Sequence, residues 1–176
     1  MKKFELTILL IILAGVAVAV RLLPHPANFT PVVAVSLFAG YYLPKKWVII
    51  LPVLVMLISD LIIGFYDWRL MLTVYGCFVL TGIMGTAIKK SRNPLTVLTT
   101  TMSASLGFFL ITNFAVWAFS SWYAHSLSGL LTCYVLAVPF FRNTFLGDLF
   151  FVAILFGGYE AIKMAVQNRT IVVLNK

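Results

Sequence analysis

The chain is a succession of long apolar runs separated by short loops, and this pattern limits its folds more than any motif does. Residues 4–23, 47–64, 70–88, 95–119 and 145–166 are almost continuously apolar. Overall the 176 residues are 62% hydrophobic and only 10% charged, against about 25% charged for a soluble domain. Such a chain cannot cover itself with a wettable surface, so lipid is its expected solvent. In lipid every backbone N–H and C=O needs a partner inside the fold, which helices provide locally. A barrel would need alternating apolar and polar residues, and the runs here are unbroken. The expectation is an all-α membrane protein, one transmembrane domain over residues 1–176.

Six spans are predicted: Phe4–Leu23, Pro31–Leu43, Trp47–Gly64, Leu70–Ile88, Leu95–Phe119 and Phe145–Val166. At about 1.5 Å per residue the first spans the roughly 30 Å of a bilayer core. It exceeds the 7–15 residues of a signal-peptide core, so a retained helix is expected. Pro24-His25-Pro26 ends it, because proline lacks the N–H and restricts its predecessor.

Two segments are ambiguous, Pro31–Leu43 and Leu127–Phe141, and charge arbitrates. With both termini inside, the inner side holds Lys2, Lys3, Lys45, Lys46, Lys89, Lys90, Arg92, Lys163, Arg169 and Lys176, and the outer side Arg21, Arg69 and Arg142. That is the asymmetry of the positive-inside rule. It makes Pro31–Leu43 a span. Leu127–Phe141 becomes an outer re-entrant or interfacial helix between the fifth and sixth spans, broken at Pro139. The net charge of +8 therefore reports orientation and not nucleic acid. No GxxxxGK[ST] run is present, which removes ATP hydrolysis by that route. The small pairs Gly15/Ala19, Gly82/Thr86 and Gly157/Ala161 permit close helix packing.

Polar groups within spans are costly and mark function. Here they gather at the outer end: Arg21, His25, Asn28, Asp60, Asp67, Trp68, Arg69, Tyr75, Cys77, Asn113, Trp117, Trp122, His125, Cys133, Arg142, Asn143 and Asp148. The inner side holds little beyond Lys and Arg, and Glu160, which can pair with Lys163 at i,i+3. Aromatic walls with a few convergent polar groups suit a small organic ligand. A channel would carry polar residues along its whole length. Each member also has a plainer reading. The tryptophans form an interfacial belt, and Asp148 caps the sixth helix. Asp60 pairs with Arg21 or Arg142, and Cys77 is a packing residue.

Several of these runs resemble substrate-binding S-components of energy-coupling factor vitamin transporters: Arg21-Leu-Leu-Pro-His-Pro-Ala-Asn-Phe-Thr-Pro31, Ser59-Asp60, Gly64-Phe65, Val74-Tyr75-Gly76, Thr112-Asn113-Phe114, Trp117, Cys133-Tyr134, Pro139-Phe-Phe-Arg-Asn143 and Gly147-Asp148. The resemblance implies a six-helix bundle in the bacterial inner membrane. Its vitamin-like ligand would be bound from outside under the loops after helices 1, 3 and 5. Such proteins dock on a coupling protein and two ATPases, often through alanines on helix 1, where this chain has Gly15/Ala19. It would use that module or work alone. The chain is most similar to solitary cobalamin-binding members, in which a first-loop histidine and a helix-4 cysteine meet the corrinoid cobalt. That implies His25 and Cys77 as cobalt ligands, and cysteine-assisted decyanation at Cys77. A thiolate is a soft donor suited to such a metal. No resident cofactor is required; cobalamin would be the bound ligand. The implied pocket is Arg21, His25, Asn28, Asp60, Asp67, Tyr75, Cys77, Asn113, Trp117, Arg142, Asn143 and Asp148. The alternatives are an S-component for another vitamin or a nucleobase-like precursor, a membrane enzyme with Cys77 as nucleophile and His25 as base, and an assembly protein with a Cys77–Cys133 disulfide.

Overall fold

The structure, a computed structural model, describes residues 3–89 and 93–174, with side chains over 4–89 and 93–166. Lys2, Lys90, Arg92 and Lys176, counted above for charge, lie outside those residues, as do the side chains of Lys3 and Arg169. The described residues form six helices and no strand. They are α1 (Lys3–Leu22), α2 (Val32–Tyr42), α3 (Trp47–Ile63), α4 (Trp68–Ile88), α5 (Pro94–Phe119) and α6 (Leu127–Leu174). Four have the length and apolarity to cross a membrane, namely α1, α4, α5 and α6. The fold is therefore all-helical with several membrane-capable helices.

Local chemistry sets the helix starts. The Asp67 carboxylate accepts from the N–H groups of Arg69 and Leu70, so α4 begins at Trp68, two residues before the sequence expectation. Asn93 caps α5 through the Leu95 N–H, with Pro94 in the first turn, where its missing N–H costs nothing. Gly64 closes α3 at φ 112°, a conformation that favours glycine.

The core is built around α2, where every residue from Val32 to Gly40 is buried. A helix apolar all round belongs inside. It lies against α4 at unusually short range. A Cβ on Gly40 would stand 2.0 Å from the Gly82 carbonyl oxygen, and one on Gly85 would stand 2.4 Å from that of Leu37. The small residues that matter in α4 are thus Gly82 and Gly85. Nothing lies within 4 Å of a Cβ built at Gly15 or Gly157.

With 11 residues, α2 is about 16 Å long at 1.5 Å per residue, half the hydrocarbon thickness. It cannot fill the height that the 21 residues of α4 occupy. The bundle is left short of packing at one end, and residues 23–31 fold into that gap. Phe29 anchors this loop. Its ring lies 5.8 Å from Phe150 and 5.4 Å from Phe151, and it packs so closely on Gly147 that a Cβ there would stand 3.0 Å from the ring.

The expected interruption at Pro139 is absent. Residues 127–174 form one 48-residue helix with Pro139 inside it, so no separate re-entrant helix stands between the fifth and last helices. Proline removes one intrahelical bond, but α5 braces the helix on both sides of it. Tyr134 Oη donates to the Leu110 carbonyl at 2.7 Å, Cys133 Sγ lies 3.4 Å from the Asn113 carbonyl oxygen, and the Phe109 and Phe141 rings are 4.7 Å apart. Asp148 accordingly sits well inside α6 and caps no helix. At about 72 Å, α6 is longer than a hydrocarbon layer is thick.

Candidate functional site

The unfilled end of the bundle holds two adjoining cavities. The first, of about 270 Å³, is lined by Arg21, His25, Asn28, Thr30 and Val33 from α1, its loop and α2, by Met56, Ile63 and Tyr66 from α3 and its loop, and by Val74, Phe78, Phe108, Thr144 and Asp148 from α4, α5 and α6. The second, of about 330 Å³, shares Asn28, Val74, Phe108 and Thr144 with it and runs between α5 and α6 past Asn113 and Cys133. Asn28 stands at the boundary with φ 64°, a left-handed conformation that asparagine tolerates in turns. Phe78 and Phe108 stack with centroids 5.1 Å apart and form an aromatic wall.

A polar network stiffens one side of the first cavity. Arg21 Nη2 donates to Asp60 Oδ1 at 2.5 Å and Arg21 Nε to Ser59 Oγ at 2.7 Å, while Tyr75 Oη donates to Asp60 Oδ2 at 2.8 Å. Of the two partners foreseen for Asp60, the structure selects Arg21. Burial, together with the nearby Asp60 charge, pushes the Tyr66 phenol up to about 12. Across the cavity Ser105 Oγ lies 2.6 Å from Asp148 Oδ2, and Asp148 is 2% exposed.

The other expected residues are spread more widely. His25 lines the cavity and its Nδ1 faces the Pro26 carbonyl oxygen at 2.8 Å. Asn113 lines the second cavity and donates to the Phe109 carbonyl. Trp117 Nε1 donates to the Ala124 carbonyl at 3.0 Å and its ring meets His125 edge-on, which pins the loop after α5. Asp67 pairs with Arg69 at 3.1 Å at the protein surface, and that hydrogen-bonded guanidinium holds its carboxyl below the usual range. Arg142 is exposed, Asn143 is half-buried, and neither lines these two cavities. Cys77 and Cys133 are free and buried, so no disulfide joins them. Cys133 lines the second cavity; Cys77, 5% exposed, lines neither. Ser105 was not singled out in the sequence, where nothing separates it from the many other hydroxyls of the spans; Ser59 entered only beside Asp60 in one of the resembling runs.

A third cavity, of about 820 Å³, opens at the opposite end, where Lys89 and Lys163 lie. Tyr41 and Tyr42 of α2 and Val152 and Phe156 of α6 line it. Tyr42 Oη donates to Glu160 at 2.7 Å and Lys163 pairs with the same carboxylate at 3.3 Å. Leu37, Phe38, Thr101 and Ala104, all buried, occupy the helix turns that separate this cavity from the first.

The fold and this site define a helical protein with membrane-capable spans and polar, aromatic-walled cavities at one end. The chain belongs to the Family of unknown function (DUF6580), whose model matches residues 1–170. No curated protein and no solved structure matches it.

Proposed function

We propose that this protein is a multi-pass uptake protein of the bacterial cytoplasmic membrane. It captures a small, vitamin-like molecule from the outer side, in the manner of the S-components its sequence resembles. One observation carries the reading. All six helices and the α1–α2 loop converge on a cavity, and the hydrogen-bonded Asp60 and Tyr75 fix the Arg21 side chain on its wall. Preformed concave sites with apolar walls and a few fixed polar groups are how proteins hold small ligands. In this reading α2, with the loop above it, counts as the second of six spans. The lysine-bearing end, with Lys45, Lys46, Lys89 and Lys163, faces the cytoplasm by the positive-inside rule, and the polar cavities face outward. Release would proceed through the third cavity, once the layer at Leu37, Phe38, Thr101 and Ala104 parts.

Cavity size favours the smaller-ligand alternative over cobalamin. A corrinoid with its nucleotide tail is much larger than cavities of about 270 and 330 Å³. A corrinoid would enter only if the loops after α1, α3 and α5 opened widely. Ligation by Cys77 would also require α4 to present a side chain that is now buried. Whether a coupling protein and its ATPases power transport, or the protein works alone, belongs to the same proposal.

Native mass spectrometry of protein extracted gently from its own membranes tests this. A retained non-covalent mass of one- or two-ring size is the expected result. A retained corrinoid mass would return cobalamin to first place. An empty protein that also mediates no uptake would contradict the proposal.

A further inference from the structure

The first cavity contains one carboxyl group that no cation answers. Asp148 lines it, is 2% exposed, and has Ser105 Oγ as its partner, 2.6 Å from Oδ2. Ser105 Oγ also lies 3.0 Å from the Thr101 carbonyl oxygen. A hydroxyl has one hydrogen and can serve only one of these acceptors. If Ser105 donates to Thr101, Asp148 must bring its own proton to the contact. If it donates to Asp148, a buried carboxylate rests on a single neutral donor. In either case Oδ1 has no protein partner among the described residues.

The charged groups around the cavity do not fill that role. Both donor edges of Arg21 in use point to α3, to Ser59 and Asp60. The carboxylate of Asp60 is itself satisfied by Arg21 and Tyr75. His25 Nδ1 is engaged at the Pro26 carbonyl. The rest of the cavity wall, Val33, Met56, Phe78, Phe108 and Thr144 included, is apolar or neutral. A buried carboxylate without a counter-cation is unfavourable as the charged form, and the penalty falls when a cation with good geometry joins it.

Resting on the reading of this cavity as the binding site, we infer that its ligand is a planar organic cation. Such a ligand, an amidine or a protonated nitrogen heterocycle, presents N–H donors to Asp148 while its ring lies on the Phe78–Phe108 wall. Two features of the site match two features of this class. The carboxyl answers a charge-bearing donor, whose hydrogen bonds are about twice as strong as neutral ones. The aromatic wall answers a flat ring, with added attraction between cation and ring face. The volume of about 270 Å³ suits one or two rings.

Three probes of nearly equal shape decide it: cationic benzamidine, neutral benzamide and anionic benzoate. Each is titrated at neutral pH into the purified protein in lipid nanodiscs while thermal stability is followed. Benzamidine should stabilise the protein and the other two should not. In Asp148→Asn, which keeps shape and the Ser105 contact, benzamidine should bind about tenfold more weakly or worse, the scale of a lost charge-assisted pair. The wild-type series stands even if the variant folds poorly. Stabilisation by benzoate or benzamide alone would overturn the cation and leave the cavity as the binding site. Benzamidine binding that ignores Asp148→Asn would also overturn it. Silence of all three probes in protein that still retains a native small molecule would contradict this inference alone. Silence in protein that retains nothing would contradict the binding site as well.

Discussion

Arg21 and Asp60, 39 residues apart in sequence, form a 2.5 Å ion pair in which the carboxylate is 1% exposed. The pair ties the end of α1 to the last turn of α3, and Tyr75 extends it to α4. Breaking a buried pair from one side strands the other charge, at about 3–5 kcal/mol. Arg21→Ala should therefore be the most damaging change in the network. Asp60→Asn should cost less, because the Arg21 side chain is 15% exposed and reaches the cavity. Tyr75→Phe removes one hydrogen bond to a charged group and should cost about 1.5–3 kcal/mol. Thermal unfolding of the three variants in one detergent gives the order.

The contact of α2 with α4 predicts a second pattern. Gly40→Ala and Gly85→Ala place a methyl group against backbone, which cannot yield as a side-chain tip can. Each should cost about 1–3 kcal/mol or abolish folding. Gly15→Ala meets nothing within 4 Å and should be neutral or slightly stabilising through helix propensity. The yield of monodisperse protein after size-exclusion chromatography separates the two groups.

Asp67 predicts a pH dependence. Its carboxyl is held below its unfolded value of 3.8 by Arg69 and by the helix start it caps. A depressed folded value means that the stabilisation is present above the unfolded value. It is lost as pH falls through the folded one. Asp67→Ala should lower the unfolding temperature at pH 7, and the gap to wild type should narrow as pH falls below about 4. Unfolding curves of both proteins from pH 7 to pH 3 check the sign.

The cysteines give a chemical test. Both are free, with exposures of 5% for Cys77 and 1% for Cys133. A maleimide should leave the folded protein largely unmodified and add two labels after denaturation, with no need for a reductant. After incubation with cyanocobalamin and desalting, the folded protein should carry no corrinoid absorption band. A band altered in wild type and normal in Cys77→Ala would instead establish thiolate ligation.

Much of this architecture is legible in the sequence because lipid leaves the backbone so few options. Apolar runs ended by Pro24, Gly64 and the Asn93-Pro94 pair fix five helices to within about two residues. The gathering of Arg21, His25, Asn28, Asp60 and Asp148 at one end follows from span positions alone. What the sequence hides depends on packing between distant segments. Pro139 reads as a break, yet contacts from Leu110, Asn113 and Phe109 carry α6 through it. Asp148 reads as a cap because that break is assumed. Cys77 falls at the expected height, but rotation about α4 turns it away from a cavity that Val74 and Phe78 line. Helix position along the chain is readable; helix rotation is set by the close approach of Gly40, Gly82 and Gly85.

The cavity beside Val74 is proposed to hold a small molecule. The direct measurement is native mass spectrometry of wild type beside Val74→Trp, which fills the junction of the two cavities, and Leu80→Trp, whose position is 52% exposed on the same helix. A retained small-molecule mass is expected in wild type and Leu80→Trp, with its loss in Val74→Trp. Retention of the same mass by Val74→Trp would contradict it.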